Sequence, residues 1–162
     1  MNYLPISHVS EEKLNAFFIE QWGSLEMLTA QETYQLRELE GFSCQTINED
    51  LIGLVTFKET RGSLEIVSLD SLQEGSGIGS ELLRLVESEA EVRGVELVQL
   101  TTTNDNIRAL AFYQKRGYRI TQVSPDAVRE ARRRKPSIPL IAANGIPISD
   151  EIRLEKNLFS GR

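Results

Sequence analysis

Apolar and polar residues alternate along Leu64-Glu65-Ile66-Val67-Ser68-Leu69, after which Ile78, Leu82, Leu85, Val86 and Ala90 recur at three- and four-residue steps. The first rhythm is that of a β-strand. The second is that of an amphipathic helix, with Glu81, Glu87 and Glu91 turned outward until Arg93-Gly94 closes it. Between them lies Gly75-Ser76-Gly77-Ile78-Gly79, so the stretch predicts strand, glycine-spaced turn and helix in succession. Glycines leave backbone N–H groups unshielded, and the first turn of a helix adds donors without internal partners at the positive end of the macrodipole. A phosphate fits such a loop.

The same reading places the other elements. Tyr3–Ile6 predicts an edge strand, because Pro5 forbids a central place. Ser10 is the N-cap of a helix with Leu14, Phe17 and Phe18 at helical spacing, running to Trp22 and Gly23. Residues 24–41 carry helix formers on a broken apolar stripe and read as helix, or helix plus loop. Phe42–Ile47 and Leu51–Thr60 read as strands joined at Asn48-Glu49-Asp50, and Arg61-Gly62 turns into the strand described first, giving an antiparallel meander of three. Leu97–Thr101 is a further strand, expected as a parallel neighbour of the strand before the glycine loop through a right-handed crossover. Asn104-Asp105-Asn106 caps a helix over Ile107–Arg116, Gly117 ends it, and Tyr118–Val123 and Glu151–Lys156 are the last strands, with Ile152 and Leu154 facing the core. The expected fold class is α/β (α+β): a mixed, mostly antiparallel central sheet with a βαβ crossover and helices on both faces.

Composition narrows the function. A chain of 162 residues with 40% hydrophobic content suits one domain spanning 1–162. The net charge of -6 argues against nucleic-acid binding by counterion release, and no apolar run approaches the roughly 20 residues of a membrane span. The first thirteen residues lack the basic flank and apolar stretch of a signal peptide, and the single Cys44 has no internal disulfide partner, so the cytoplasm is the expected location. With one His and one Cys there is no metal-ligand cluster, and His8 and Cys44 read as structural.

Glu74-Gly75-Ser76-Gly77-Ile78-Gly79, followed about thirty residues later by Asn106, Ala109, Phe112-Tyr113 and Gly117-Tyr118, resembles the paired signatures of the GNAT N-acetyltransferase superfamily in order, spacing and setting. The resemblance covers Leu64 to Val123, while the first forty residues match only loosely. It implies acetyl-CoA as co-substrate, with its pyrophosphate on the backbone N–H groups of Gly75, Ser76, Gly77, Ile78, Gly79 and Ser80, and the Ser76 and Ser80 hydroxyls as additional donors. Leu69 would hydrogen-bond the pantetheine like an added strand, in a gap where its strand parts from Leu97–Thr101. Asn106 would hold the same arm. Tyr113 would give a proton to the departing thiolate, and Glu65 is the best candidate base, acting through water, with Asp70 and Glu151 as substitutes. Glu74 departs from the family, which has Gln or Arg there, and a carboxylate beside an anionic ligand implies weakened affinity.

The implied activity is acetyl transfer to a primary amine of a small molecule or peptide by direct attack in a ternary complex. The alternatives are a catalytically silent acyl-CoA sensor on the same fold and a dinucleotide-binding domain. The last is disfavoured because the glycines fall as G-x-G-x-G, the loop follows an antiparallel meander, and Glu96 begins rather than ends the next strand. Tyr113 and Glu65 also have structural readings, as a core aromatic on an amphipathic helix and the outward residue of a half-buried strand. Arg129, Arg132, Arg133, Arg134 and Lys135 read as a solvated helix face or as a surface for an anionic acceptor. The long excursion 124–150 opens with a short helix after Pro125-Asp126. Its Ile138, Leu140, Ile141, Ile146 and Ile148 suit packing over the acceptor side with Trp22 and the first helix, or a homodimer contact.

Overall fold

Ser10 caps the first helix as its position predicts: its hydroxyl accepts the Lys13 N–H at 3.2 Å, and Gly23 closes the other end at φ 70. In this computed structural model, which describes residues 1–159, the strands are β1 (Asn2–Pro5), β2 (Glu26–Leu28), β3 (Thr33–Gln35), β4 (Glu40–Gln45), β5 (Leu51–Thr60), β6 (Ser63–Ser71), β7 (Leu97–Thr103), β8 (Arg119–Ser124) and β9 (Glu151–Asn157). The helices are α1 (Glu11–Trp22), α2 (Ile78–Val92), α3 (Ile107–Gln114) and α4 (Ala127–Arg134). The chain forms two compact units, one of residues 1–27, 34–98 and the segment from Leu158, the other of residues 28–33 and 99–157. No helix among the described residues is long and apolar enough to cross a membrane.

In the first unit the strands run β1-β4-β5-β6, each antiparallel to its neighbour, so the expected meander of three is present with β1 outside it. Leu54 of β5 joins Phe17 and Phe18 of α1, Ile6 and Leu36 in a buried cluster on one face. On the other face Ile78, Leu82, Leu83, Val86 and Ala90 of α2 are buried where the helix lies on β4, β5 and β6. Gly53 makes this seat possible: a Cβ there would stand 2.6 Å from Ile78 Cγ2 and 3.2 Å from Leu82 Cδ1. At the far end of α2, Arg93 bonds Glu40, Glu59 and Glu89, tying helix to sheet.

Residues 24–41 depart from the expected helix. They form β2, β3 and a single 3-10 turn at Leu36–Glu38. The Thr29 hydroxyl accepts the N–H groups of Gln31 and Glu32, and the Thr29 N–H donates to Glu32 O at 2.9 Å, so a side-chain-stabilised turn replaces the helical bonds that the Gln and Glu residues favour. Tyr34, Leu36 and Leu39 are the buried apolar side chains of the segment, a spacing that suits extended chain and not one helix face.

In the second unit β8 pairs antiparallel with β9, and β9 lies between β7 and β8. Leu154 faces the core as expected and is fully buried, whereas Ile152 is half-buried and the buried partner at the start of β9 is Glu151. The excursion 124–150 is held by polar contacts more than by its apolar residues. Leu140 and Ile141 are 69% and 60% exposed, which runs against packing of these two within the chain and leaves the alternative of a homodimer contact open. Arg132 donates to the carbonyls of Ile138, Pro139 and Ile148, and Asn104 accepts the N–H groups of Ser149 and Asp150 while donating to Pro147 O. In the basic run Arg129 and Arg133 are solvated, in exposed pairs with Asp126 and Glu130, whereas Arg132 and Arg134 reach main-chain carbonyls, Arg134 that of Thr29.

Candidate active site

The first unit carries Glu65, Leu69 and the glycine loop. Along β5 and β6 the register runs Leu54↔Asp70, Thr56↔Ser68, then Phe57↔Ile66 and Lys58↔Glu65, so Val67 is an extra residue in β6. Paired residues of an antiparallel ladder point to one face, so the bulge swings Glu65 onto the face of Thr56, Ser68, Leu54 and Asp70, the face that α1 covers. Strict alternation would have put it with Val67 and Leu69. Thr56 Oγ1 and Ser68 Oγ lie 2.6 Å apart at the centre of this polar row, and both are buried. Glu65 is only 8% exposed, and Ser63 to Ile66 are all buried, so β6 is here covered on both faces and is not the half-buried strand that the structural reading of Glu65 required.

At the other end of the row Asp70 Oδ2 accepts the Trp22 indole N–H at 2.9 Å. Burial pushes the Asp70 carboxyl above its ordinary range, and the indole hydrogen bond offsets only part of that. Leu69 faces the opposite way in the same strand.

Past Ser71 the chain enters the loop. Gly75 and Gly77 sit at φ 72 and 80, in the left-handed region that favours glycine, and a Cβ at either would meet nothing within 4 Å. Among the described residues nothing accepts from the N–H groups of Gly75, Ser76, Gly77, Ile78 or Gly79. The Ser76 hydroxyl donates to Gln73 O at 2.6 Å, so Ser76 offers its main-chain N–H outward and not the additional hydroxyl donor expected of it. Glu81 in the first turn of α2 would oppose an anion, but Arg84 bonds it at 2.6 Å and holds its carboxyl below the usual range. Donors in a row, with open space at the Gly75 and Gly77 Cβ positions and Glu81 paired to Arg84, are the features that an anion requires of a loop.

The second unit carries Asn106, Tyr113 and Glu151. Asn106 caps α3: its Oδ1 accepts the Ala109 N–H at 3.2 Å and its Nδ2 donates to Thr102 Oγ1 at 3.3 Å. Tyr113 is 5% exposed, edge-on to Phe112 at 5.1 Å and to Tyr118 at 5.4 Å. Its ring is therefore fixed by neighbours on both sides. Glu151 Oε2 accepts the Ala30 N–H at 3.0 Å, burial raises its carboxyl, and the Ala30 bond and Arg134 pull it the other way. That carboxylate holds the turn between β2 and β3. Asn104, which the sequence offered only as a cap, braces the excursion instead, through contacts with residues more than forty positions away that leave no local pattern. Among the described residues no three His, Cys, Asp or Glu side chains group as a metal site requires.

Comparison with known proteins bears on these parts together. The profile of the Acetyltransferase (GNAT) family matches residues 9–118. The uncharacterized protein YxbD of Bacillus subtilis (strain 168) is 44% identical over 158 residues, 98% of this chain and 99% of its own length. The uncharacterized N-acetyltransferase YvbK of the same organism is 30% identical over 126 residues, 74% of this chain and 77% of its own. Among solved structures, a GNAT family acetyltransferase from Elizabethkingia anophelis with acetyl-CoA bound has the same fold, with a TM-score of 0.71 at 21% identity over 97% of each chain. The profile spans the glycine loop, β7 and the capped helix α3, and the chain belongs to the GNAT family of N-acetyltransferases.

Proposed function

We propose that the chain moves an acetyl group from acetyl-CoA to a primary amine of a small molecule or peptide by direct attack in a ternary complex. The observation that carries the reading is the loop: Gly75 and Gly77 at positive φ with open space at their Cβ positions, beside a run of unaccepted N–H groups at the start of α2. The N–H groups of Gly75 to Ser80 hold the pyrophosphate. Leu69 supplies main-chain bonds to the pantetheine arm, and Asn106 is its second contact, through the Nδ2 hydrogen that Thr102 does not take.

The residues divide the proton traffic. Bound acetyl-CoA supplies the thioester, whose carbonyl carbon gains a bond to the amine nitrogen as its bond to sulfur breaks. Glu65 takes, through a water, the proton that the amine loses. Tyr113 gives its phenolic proton to the departing sulfur. Much of the acceleration comes from holding donor and acceptor together, for which effective molarities of about 10⁵ M are available.

Gly77→Glu tests the assignment. The substitution puts a side chain and a negative charge over the N–H groups, so calorimetry is expected to find no CoA binding by a folded variant. Unchanged CoA affinity would place the coenzyme elsewhere and remove the basis of the reading.

A further inference from the structure

The transfer chemistry leaves the contact between Trp22 and Asp70 without a task. Asp70 follows Leu69 on β6, and its side chain lies on the face that α1 covers. Its only partner among the described residues is neutral, the Trp22 indole N–H at 2.9 Å, and no lysine or arginine pairs with it. A half-buried carboxylate without a cation is an unfavourable arrangement that most proteins avoid. The aromatic partner adds a second feature. Trp22 is 36% exposed, and an indole face is the best aromatic surface for an ammonium group. Ile19, one turn back on α1, is 50% exposed, so an apolar side chain neighbours Trp22 on the helix surface, where methylene groups can lie. The net charge of -6 favours approach of cations over anions.

We propose that Asp70 and Trp22 form a subsite for a second positive charge on the acceptor, so that the preferred substrates are amines carrying a further cationic group, such as linear α,ω-diamines. The inference rests on the transfer reading above and adds the class of acceptor. Asp70 meets the distal ammonium, Trp22 covers it and the adjoining methylenes, and Glu65, further along the same face of β6, serves the reacting end. The Trp22 N–H fixes the carboxylate through Oδ2, leaving Oδ1 to the ligand.

The probes are 1-aminopentane and the diamines from 1,3-diaminopropane to 1,6-diaminohexane, with release of free CoA thiol as the readout. For the best diamine kcat/KM is expected to exceed that for 1-aminopentane at least tenfold, with the advantage in KM. In Asp70→Asn, which keeps an acceptor for the indole, the ratio of the two falls to about one. A ratio of one in the wild type, or a ratio that survives in Asp70→Asn, overturns the proposal. Where Asp70→Asn does not fold by circular dichroism, Trp22→Leu carries the test, and an unchanged ratio there overturns it equally. If none of the amines is acetylated, the transfer reading is what has failed, and calorimetry of 1,5-diaminopentane against 1-aminopentane reads the subsite directly. Tighter diamine binding that disappears in Asp70→Asn sustains the subsite, and equal affinities refute it.

Discussion

Gly53→Ala adds one methyl group beneath the first turn of α2. Gly53 does not lie at positive φ, so alanine fits the strand backbone, and the loss of unfolded-state freedom alone would stabilise by about 0.4–1 kcal/mol. Space is the obstacle. The new Cβ would stand 2.6 Å from Ile78 Cγ2, well inside the 3.4–4 Å of ordinary contact, and 3.2 Å from both Cys44 Cβ and Leu82 Cδ1. Ile78, Leu82 and Cys44 are all fully buried, and Ile78 is β-branched, so none swings aside. Overpacking of this kind costs about 1–3 kcal/mol, which after the backbone gain leaves a loss centred on about 1.3 kcal/mol and lowers Tm by about 3–5 °C. The relief route is a lift of the helix start, where Ile78 and Gly79 present their N–H groups. Misplacing one hydrogen bond to a charged oxygen, worth about 1.5–3 kcal/mol, weakens CoA binding at least about tenfold. Calorimetry with CoA and a thermal melt measure the two effects. Ile78→Ala in the same chain removes the opposing methyl and is expected to restore much of the affinity that Gly53→Ala takes away. Wild-type CoA affinity in Gly53→Ala despite a lowered Tm would show that the seat of α2 does not set the loop.

Two other substitutions probe the site from different sides. Tyr113→Phe keeps the ring between Phe112 and Tyr118 and removes the hydroxyl, so turnover is expected to fall about 10²-fold with little change in CoA affinity; full turnover would reduce Tyr113 to packing. Asp70→Asn bears on stability as well as substrate choice. Because burial raises the Asp70 pKa above its unfolded value of 3.8, the folded chain binds this proton more readily, and the stability so gained is present below that value and lost as pH rises through the raised one. The Asn variant is therefore expected to melt above the wild type at pH 7, with the difference shrinking towards about pH 3; a difference that grows on acidification would contradict the assigned cause.

Local signals were legible in the chain and tertiary ones were not. The strand, loop and helix from Leu64 to Ala90 could be read because period, glycine spacing and helix closure all lie within a few residues of one another. The face of Glu65 could not. An alternating strand looks the same in either phase, and only the pairing with β5 exposes Val67 as the extra residue that moves Glu65 beside Ser68 and Asp70. Residues 24–41 misled for a different reason: Gln, Glu, Leu and Arg favour helix in isolation, but the Thr29 hydroxyl caps a turn and Tyr34, Leu36 and Leu39 are buried from extended chain. The excursion was readable as a short helix and a stiffened return, yet its order comes from Arg132 and Asn104 reaching main-chain groups distant in sequence. Long polar side chains give no periodic signature of such contacts.

The central claim is that this chain acetylates amines, and amine-dependent release of free thiol from acetyl-CoA tests it most directly. Purified protein is incubated with acetyl-CoA alone, with pools of primary amines, and with the same pools after Tyr113→Phe substitution, and the products are weighed by mass spectrometry. The expected result is thiol release that rises with at least one amine pool, an acetylated amine in equal amount, and a loss of about 10²-fold in the variant. Tight CoA binding with thiol release no faster in the presence of any amine than in buffer would contradict the claim and identify the fold here as an acyl-CoA sensor.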